Sequence, residues 1–321
     1  MSSCDAILQS AAALLRTGHL VAFPTETVYG LGADATNPLA VARIFEAKQR
    51  PTFDPLIVHI AELSQVERVV SQFPATARLL TTEFWPGPLT LVLPKRDIIP
   101  DLVTAGLPGV GIRIPRHPVA IELLKAAGCP VAAPSANPFG GISPTTAQHV
   151  ADGLGSSVDC IVDGGPCAVG LESTVLSLMT KRPVLLRHGG CPLEDIERLI
   201  GPVEIARSDP SRDDAAQPSP GMLSRHYAPG TRLIVIAHQQ LAEPIAGLRC
   251  GLLTAGKQPF SGRFVRIETL SDDGNLQTCA ANFFAAMRTL DASDLDVIIG
   301  HEFPPHGLGV ALNDRLRRAA H

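Results

Sequence analysis

Phe23-Pro24-Thr25-Glu26-Thr27-Val28-Tyr29-Gly30-Leu31-Gly32 is the stretch on which the reading of the chain turns. The apolar run from His19 to Phe23 reads as a strand, and Pro24 stops regular pairing. Two hydroxyls, a carboxylate and a phenol then crowd together from Thr25 to Tyr29. Gly30 and Gly32 predict a turn at which the backbone can approach a ligand closely. Asn37 and Pro38 read as the N-cap and first position of a helix from Leu39 to Lys48, apolar on one side through Val41, Ile44 and Phe45. That helix delivers Lys48 and Arg50 to its C-terminal end, beside Pro51. Hydroxyls and two cations around one turn suit a small anionic ligand such as a phosphate.

Plainer readings exist for each part. Lys48 and Arg50 could serve only the helix dipole. Gly30-x-Gly32-x-x-Ala35 fits a dinucleotide fingerprint, but the acidic ribose partner is badly placed, since Glu46 falls inside the helix. It is the joint occurrence that favours a ligand site. Two other near-matches fail on chemistry. Gly251 to Lys257 resembles a P-loop, yet Gln258 replaces the Ser/Thr that holds magnesium, and Pro259 follows where a helix should begin. His301-Glu302 with His306 resembles a zinc-peptidase helix, but the histidines are wrongly spaced for one face and prolines intervene.

The 321 residues suggest two domains, and 45% hydrophobic content allows a sizeable core. A net charge of −4 argues against a generally basic nucleic-acid binder. No apolar run approaches the ~20 residues of a membrane span, so no membrane association is expected. Residues 1–5 lack the basic region of a signal peptide. Seven cysteines at irregular spacing, with no C-x-x-C pair, suggest neither a disulfide framework nor a zinc site, and a reducing cytoplasm is the expected location. No metal-ligand cluster is evident.

In order, the chain predicts a helix from Asp5, as cap, to Thr17, then the strand and motif above. Strands follow at Leu56–Ile60, Leu89–Leu93, Val110–Pro115, Val131–Ala133, Val158–Val162, Val175–Leu178 and Val184–Leu186. Helices are expected over 63–71, 75–84 and 119–127. Arg113 should point away from Ile112 and Ile114. Thr145 or Thr146 can cap a helix whose free amides, with Ser135 and Ser143 nearby, would cradle a phosphate or ribose. Some neighbouring strands are joined by loops alone, so the expected class is α/β with a mixed, twisted sheet. Residues 207–230 read as a linker, and 231–321 as a small Rossmann-like α/β domain, leaving 1–206 as the first domain.

Taken together, Pro24 to Gly32, Lys48-x-Arg50-Pro51, Trp85-Pro86-Gly87-Pro88-Leu89-Thr90, Ser135-Ala136-Asn137 and Glu172-Ser173-Thr174-Val175 resemble the YrdC-type threonylcarbamoyl-AMP synthases. Ser219-Pro220-Gly221-Met222 with Arg225-His226-Tyr227-Ala228-Pro229 resembles the linker of the two-domain form, and Gly307-Leu308-Gly309 with Asn313 and Arg315 resembles its C-terminal end. The resemblance covers almost the whole chain in order. It implies a reaction: L-threonine, bicarbonate and ATP give threonylcarbamoyl-adenylate and pyrophosphate. Separate transferase proteins would then modify the adenosine beside the anticodon of tRNA. Magnesium (Mg2+) would travel with the nucleotide.

By family motif, Thr27, His59, Arg113, Ala133 and Ser173 would lie around threonine, with Arg113 gripping its carboxylate. Lys48, Arg50, Asp54, Ser135, Asn137, Ser143 and Arg187 would lie around ATP, with Lys48 and Arg50 as the catalytic cations. The linker from Ser219 to Pro229 would fold over the nucleotide as a lid, bringing His226 or Tyr227 to ATP. Two positions depart from the family: Asp54 stands where Asn is common, and Pro108-Gly109 replaces a pair that usually carries a threonine hydroxyl. Both put the strength of the nucleotide grip in question. The competing readings are a non-catalytic module for double-stranded RNA or tRNA, which the acidic balance opposes, and a carbamoyl-phosphate-handling enzyme, which the absent zinc-finger cysteines oppose.

Overall fold

The computed structural model describes residues 3–206, 216–221 and 226–320, with side chains from residue 6 onward. Ten strands build the N-terminal sheet: β1 (Val21–Phe23), β2 (Gly30–Asp34), β3 (Ile57–His59), β4 (Leu89–Pro94), β5 (Gly109–Arg113), β6 (Val131–Ala132), β7 (Cys160–Ile161), β8 (Thr174–Ser177), β9 (Val184–Arg187) and β10 (Glu204–Ile205). They lie in the order β10-β9-β8-β4-β5-β3-β6-β2-β1-β7. Pairs β3–β5 and β4–β8 are parallel, whereas β4–β5, β3–β6 and β8–β9 are antiparallel. This is the mixed sheet that loop-joined strands predict.

Strand alternation sorts the two faces of the central strands. Val58, Leu89, Leu91, Leu93, Val110 and Ile112 join the main core beneath the helices Pro38–Lys48 and Ala75–Phe84. Their neighbours in sequence, Ile57 and His59, Thr90 and Val92, Gly111 and Arg113, therefore turn to the other face. The register sets His59 beside Arg113. A second core packs the helix Ser3–Arg16 against Pro118–Ala127, near Phe23 and Val131.

The helix expected after Asn37 forms as Pro38–Lys48, and the Asn37 side chain accepts from the amides of Leu39 and Ala40 at 3.0 and 3.2 Å. Gln49 ends it in the left-handed region at φ 53° and turns Arg50 back so that its amide reaches the Phe45 carbonyl. Several boundaries differ from expectation. Gly30 and Gly32 lie in strand β2, not in a turn. Gly32 is needed for closeness: a Cβ there would sit 2.8 Å from both Phe23 and Val131 side chains. Asp5 lies inside the first helix, which begins at Ser3. The segment expected as a helix over 63–71 is a 3-10 turn, Leu63–Gln65, followed by one helical turn, Val66–Val69.

The C-terminal sheet holds β11 (Arg232–Ile236), β12 (Cys250–Thr254), β13 (Arg266–Thr269) and β14 (Val297–His301), all parallel, in the order β11-β14-β12-β13. The helices Leu276–Asp291 and Leu308–Ala319 share one core with this sheet. Val28, Ile142 and Leu171 of the N-terminal domain enter the same core, as does Tyr227 of the linker. At Gly170 (φ +72°) a Cβ would meet the Ala280 carbonyl oxygen at 2.3 Å, so the two domains touch through backbone there. Elements not anticipated include the helical turn Asp101–Thr104, the 3-10 turn Gly155–Ser157, the helix Leu193–Ile200, and strands β10 and β13, whose residues are mostly exposed and carry no buried-strand pattern.

Candidate active site

Thr25 organises the loop that opens the site. Its hydroxyl donates to the Val28 carbonyl at 2.7 Å and accepts from the amides of Thr27 and Val28, both at 3.2 Å. This local bonding replaces ladder pairing just after Pro24. It also sets the Thr27 hydroxyl 2.7 Å from that of Thr25 and 3.0 Å from Arg113 Nη1, which donates to it. Tyr29 points elsewhere: its hydroxyl donates to the Gly165 carbonyl at 2.8 Å, and it has a structural role.

Over the face that carries His59 and Arg113 lies a cleft. The structure brings ten of the expected residues to its wall: Thr27, His59, Arg113, Ala133, Ser173, Arg50, Ser135, Arg187, His226 and Tyr227. Four others, Lys48, Asp54, Asn137 and Ser143, are buried one layer behind. Lys48 Nζ donates to the Ser135 carbonyl at 2.5 Å and to the Asn137 carbonyl, so it braces the loop that presents Ser135. Asn137 Nδ2 ties the same loop through the carbonyls of Pro138 and Gly141, at 2.8 and 2.9 Å. Asp54 pairs with Arg50 at 2.9 Å, and Arg50 also donates to the Asp54 and Pro55 carbonyls. The N-terminus of the helix Ala147–Leu154 is capped by Thr146, and neither Thr145 nor Thr146 is among the cleft-lining residues. The phosphate cradle expected there does not face the cleft.

Three guanidinium groups, those of Arg50, Arg113 and Arg187, meet at the cleft. Arg187 donates to the Ser173 carbonyl from Nε at 3.1 Å and from Nη2 at 2.9 Å, and from Nη1 to the Pro220 carbonyl of the linker at 2.9 Å. Arg113 Nη2 lies 2.8 Å from Glu26 Oε1, while its Nε has no partner among the described residues. Burial pushes the Lys48 amine well below its ordinary range, helped by the neighbouring charge of Arg50. Burial also raises the Asp54 carboxyl, against the pull of Arg50. His59 falls to about 3 through burial and then the Arg113 charge, so it is a neutral group at working pH. His226 is driven well below the usual imidazole range by burial and by Arg50 and Lys48.

Described residues of the linker line this cleft. Gln217 N donates to the Phe53 carbonyl at 3.0 Å, Pro220 and Gly221 line the wall, and Ala228 N donates to the Gly140 carbonyl at 2.9 Å. The His226 ring meets Tyr227 at 4.1 Å and Phe139 at 6.0 Å, both edge-on. His226 Nδ1 and the Tyr227 hydroxyl are buried without a hydrogen-bond partner among the described residues. Buried polar atoms of this kind are costly unless something completes them. Met222 and Leu223, within the segment expected as a lid, lie outside the described residues.

Sequence reasoning missed Glu172 and Arg315. Glu172 lines the cleft, accepts from Ser143 Oγ at 2.5 Å, and pairs with Arg315 at 2.9 Å. The signal for Arg315 was present: it occupies a core position between Leu312 and Leu316 on an otherwise amphipathic helix. Among the described residues no group of His, Cys, Asp or Glu is arranged to hold a metal ion.

The chain matches two family models. One, described as telomere recombination and covering Sua5, YciO and YrdC proteins, matches residues 13–189; the other, described as threonylcarbamoyl-AMP synthase, C-terminal domain, matches 191–321. A threonylcarbamoyl-AMP synthase of Pyrococcus abyssi is 43% identical, over 98% of this chain and 94% of its own length. One from Bacillus subtilis is 45% identical, over 100% of this chain and 94% of its own. A crystal structure of P. abyssi Sua5 complexed with L-threonine superposes with a TM-score of 0.89 at 42% identity, covering 98% of this chain and 94% of that one.

Proposed function

The chain belongs to the Sua5–YciO–YrdC family, in the form that carries the threonylcarbamoyl-AMP synthase C-terminal domain, and from that premise we propose how its residues perform the reaction. The enzyme makes threonylcarbamoyl-adenylate, with ATP and L-threonine as substrates. Bicarbonate supplies the carbamoyl carbon: the neutral threonine amine adds to it, and loss of water leaves the carbamate anion. A carbamate oxygen then attacks the α-phosphorus of ATP, and the bond to the β-phosphate oxygen breaks to release pyrophosphate. Such a step is governed by positioning and by cations that meet the phosphate charge.

The observation that carries this reading is the convergence of Arg50, Arg113 and Arg187 with Thr27, Ser135 and Ser173 in one cleft under the linker. Arg113, Thr27, His59, Ala133 and Ser173 receive threonine. Glu26 holds one side of the Arg113 guanidinium and leaves Nε for the substrate carboxylate. Arg50, Ser135 and Arg187 face the phosphates. Lys48, Asn137 and Ser143 shape the loop behind them, and Asp54 keeps Arg50 in place. The linker, 207–230, joins domains 1–206 and 231–321 and closes on the nucleotide through His226 and Tyr227.

Magnesium fits as a companion of the nucleotide. It usually keeps several waters and binds through substrate phosphates, and the nearby carboxylates of Asp54 and Glu172 are each occupied by an arginine. When bound it neutralises phosphate charge. The product is a labile mixed anhydride, so a separate transferase consumes it, acting on the adenosine beside the tRNA anticodon. No helix among the described residues is long and apolar enough to cross a membrane, and a cytoplasmic location suits this role. The test is mass spectrometry of the product formed with carbon-13 bicarbonate. Threonylcarbamoyl-adenylate carrying the label supports the reading, and formation of AMP or ADP alone contradicts it.

A further inference from the structure

Arg315 is completely buried, although it belongs to the C-terminal helix Leu308–Ala319 and not to the domain that carries the cleft. A buried guanidinium is costly unless its donors are met. Here Nε donates to Glu172 Oε2 at 2.9 Å, Nη2 to the His188 carbonyl at 2.8 Å and Nη1 to Asp314 at 2.6 Å. Its guanidinium carbon also lies 5.0 Å from the centre of the Tyr227 ring. Two of the three acceptors belong to the N-terminal domain. The second oxygen of Glu172 accepts from Ser143 Oγ at 2.5 Å. One line of contacts therefore runs from the last helix through a cleft-lining carboxylate to Ser143, and sideways to the linker tyrosine.

Docking of the domains does not require this arrangement. Val28, Ile142 and Leu171 already share a core with Phe284 and Met287, and Gly170 meets the Ala280 carbonyl directly. What is particular to Arg315 is the charge it meets. Glu172 stands in the wall of a cleft that must admit a polyphosphate anion, and an uncompensated carboxylate there would oppose it through a poorly screened interaction.

Resting on the synthase reading, we propose that Arg315 is a positioning residue for the ATP side of the active site. It compensates the Glu172 carboxylate and aims it at Ser143, so that the cleft offers its arginines to the phosphates unopposed. The C-terminal domain thereby completes the site of the N-terminal one.

The experiment uses the full chain and measures ATP and L-threonine affinity by titration calorimetry for wild type, Arg315→Met, and Arg315→Met combined with Glu172→Gln. Arg315→Met should weaken ATP by about tenfold or more and change threonine by less than about twofold, because one partner of a buried pair is left charged. KM for ATP should rise by more than kcat falls. The double variant, which removes the stranded charge, should regain most of the ATP affinity. If Arg315→Met does not fold, Arg315→Lys carries the test, since it cannot reach both Glu172 and the His188 carbonyl; a loss of about threefold or more in ATP alone is expected. Unchanged ATP affinity in the single variant tested would overturn the proposal. So would equal losses for both substrates with no recovery in the double variant, the signature of a residue that only joins domains. A wild type that binds neither substrate would instead overturn the synthase reading and this inference with it.

Discussion

At the residue scale, the division between the cleft wall and the layer behind it decides what each side chain does. Lys48 donates to two backbone carbonyls, those of Ser135 and Asn137. Lys48→Met should leave both carbonyls unmet and lower unfolding stability by about 1–3 kcal/mol, read from denaturant titration. Full stability with lost activity would place the amine on substrate instead. Arg113 is held by Glu26 and Thr27. Arg113→Lys keeps a charge opposite Glu26 but removes the fork, so threonine affinity should fall by about 1.5–3 kcal/mol while ATP affinity holds. Calorimetry that finds threonine binding unchanged would remove Arg113 from the threonine site. The residue types around the site were legible in the sequence, because hydroxyls and cations in short motifs announce anion chemistry. Their depth was not: Asp54, Asn137 and Ser143 read like contact residues, yet tertiary packing sets them behind the wall. Glu172 and Arg315 were passed over for the converse reason, since each acts through a partner distant in sequence.

At the element scale, most strands that carry an apolar run were read correctly, whereas β2, β10 and β13 were not. β5 announced itself by Val110 and Ile112 alternating with Arg113, and the helix after Asn37 by its cap and its apolar stripe. β2 was mistaken for a turn because its glycines suggested freedom, whereas at Gly32 the packing of Phe23 and Val131 leaves no room for a Cβ. β13 was missed because an edge strand bearing Arg266 and Glu268 looks like a solvated loop. The linker is the element with the most direct functional consequence. His226 and Tyr227 bring two unmet polar atoms to the cleft under an otherwise apolar seam. Changing His226→Ala together with Tyr227→Phe removes both atoms and keeps most of the packing around Phe284. ATP affinity should drop by about tenfold or more, roughly 1.4 kcal/mol, with little change in melting temperature. An unaltered ATP affinity would show that the segment seals the domains and takes no part in holding nucleotide.

At the scale of the whole molecule, the two domains share one core, and its stability responds to pH. His59, His117, His149, His188, His226 and His301 all have pKa values lowered by burial. The folded protein keeps these imidazoles neutral, whereas the unfolded chain takes up protons near pH ~6.5. Their contribution is therefore full above that value and is lost as pH falls below it. For His59 the loss continues down to about pH 3. A fully shifted histidine costs up to about 1.4 kcal/mol per pH unit within its window. Asp54, raised by burial, works in the opposite direction, but it is one group against several. Melting temperature should fall steadily between about pH 7 and pH 5, and a flat or rising profile would show that these imidazoles are solvated. The two-domain order was legible from the change of composition after Ile205 and the strand–helix alternation beyond Gly230. The closure of one domain on the other's cleft was not, because it depends on contacts such as Gly170 with Ala280 and Arg315 with Glu172 that no local pattern encodes. The proposed reaction joins L-threonine, bicarbonate and ATP in that cleft, and the most direct measurement is pyrophosphate release from ATP with each other substrate omitted in turn. Release should require L-threonine and bicarbonate together and fall to background when either is left out; release that continues without threonine would contradict it.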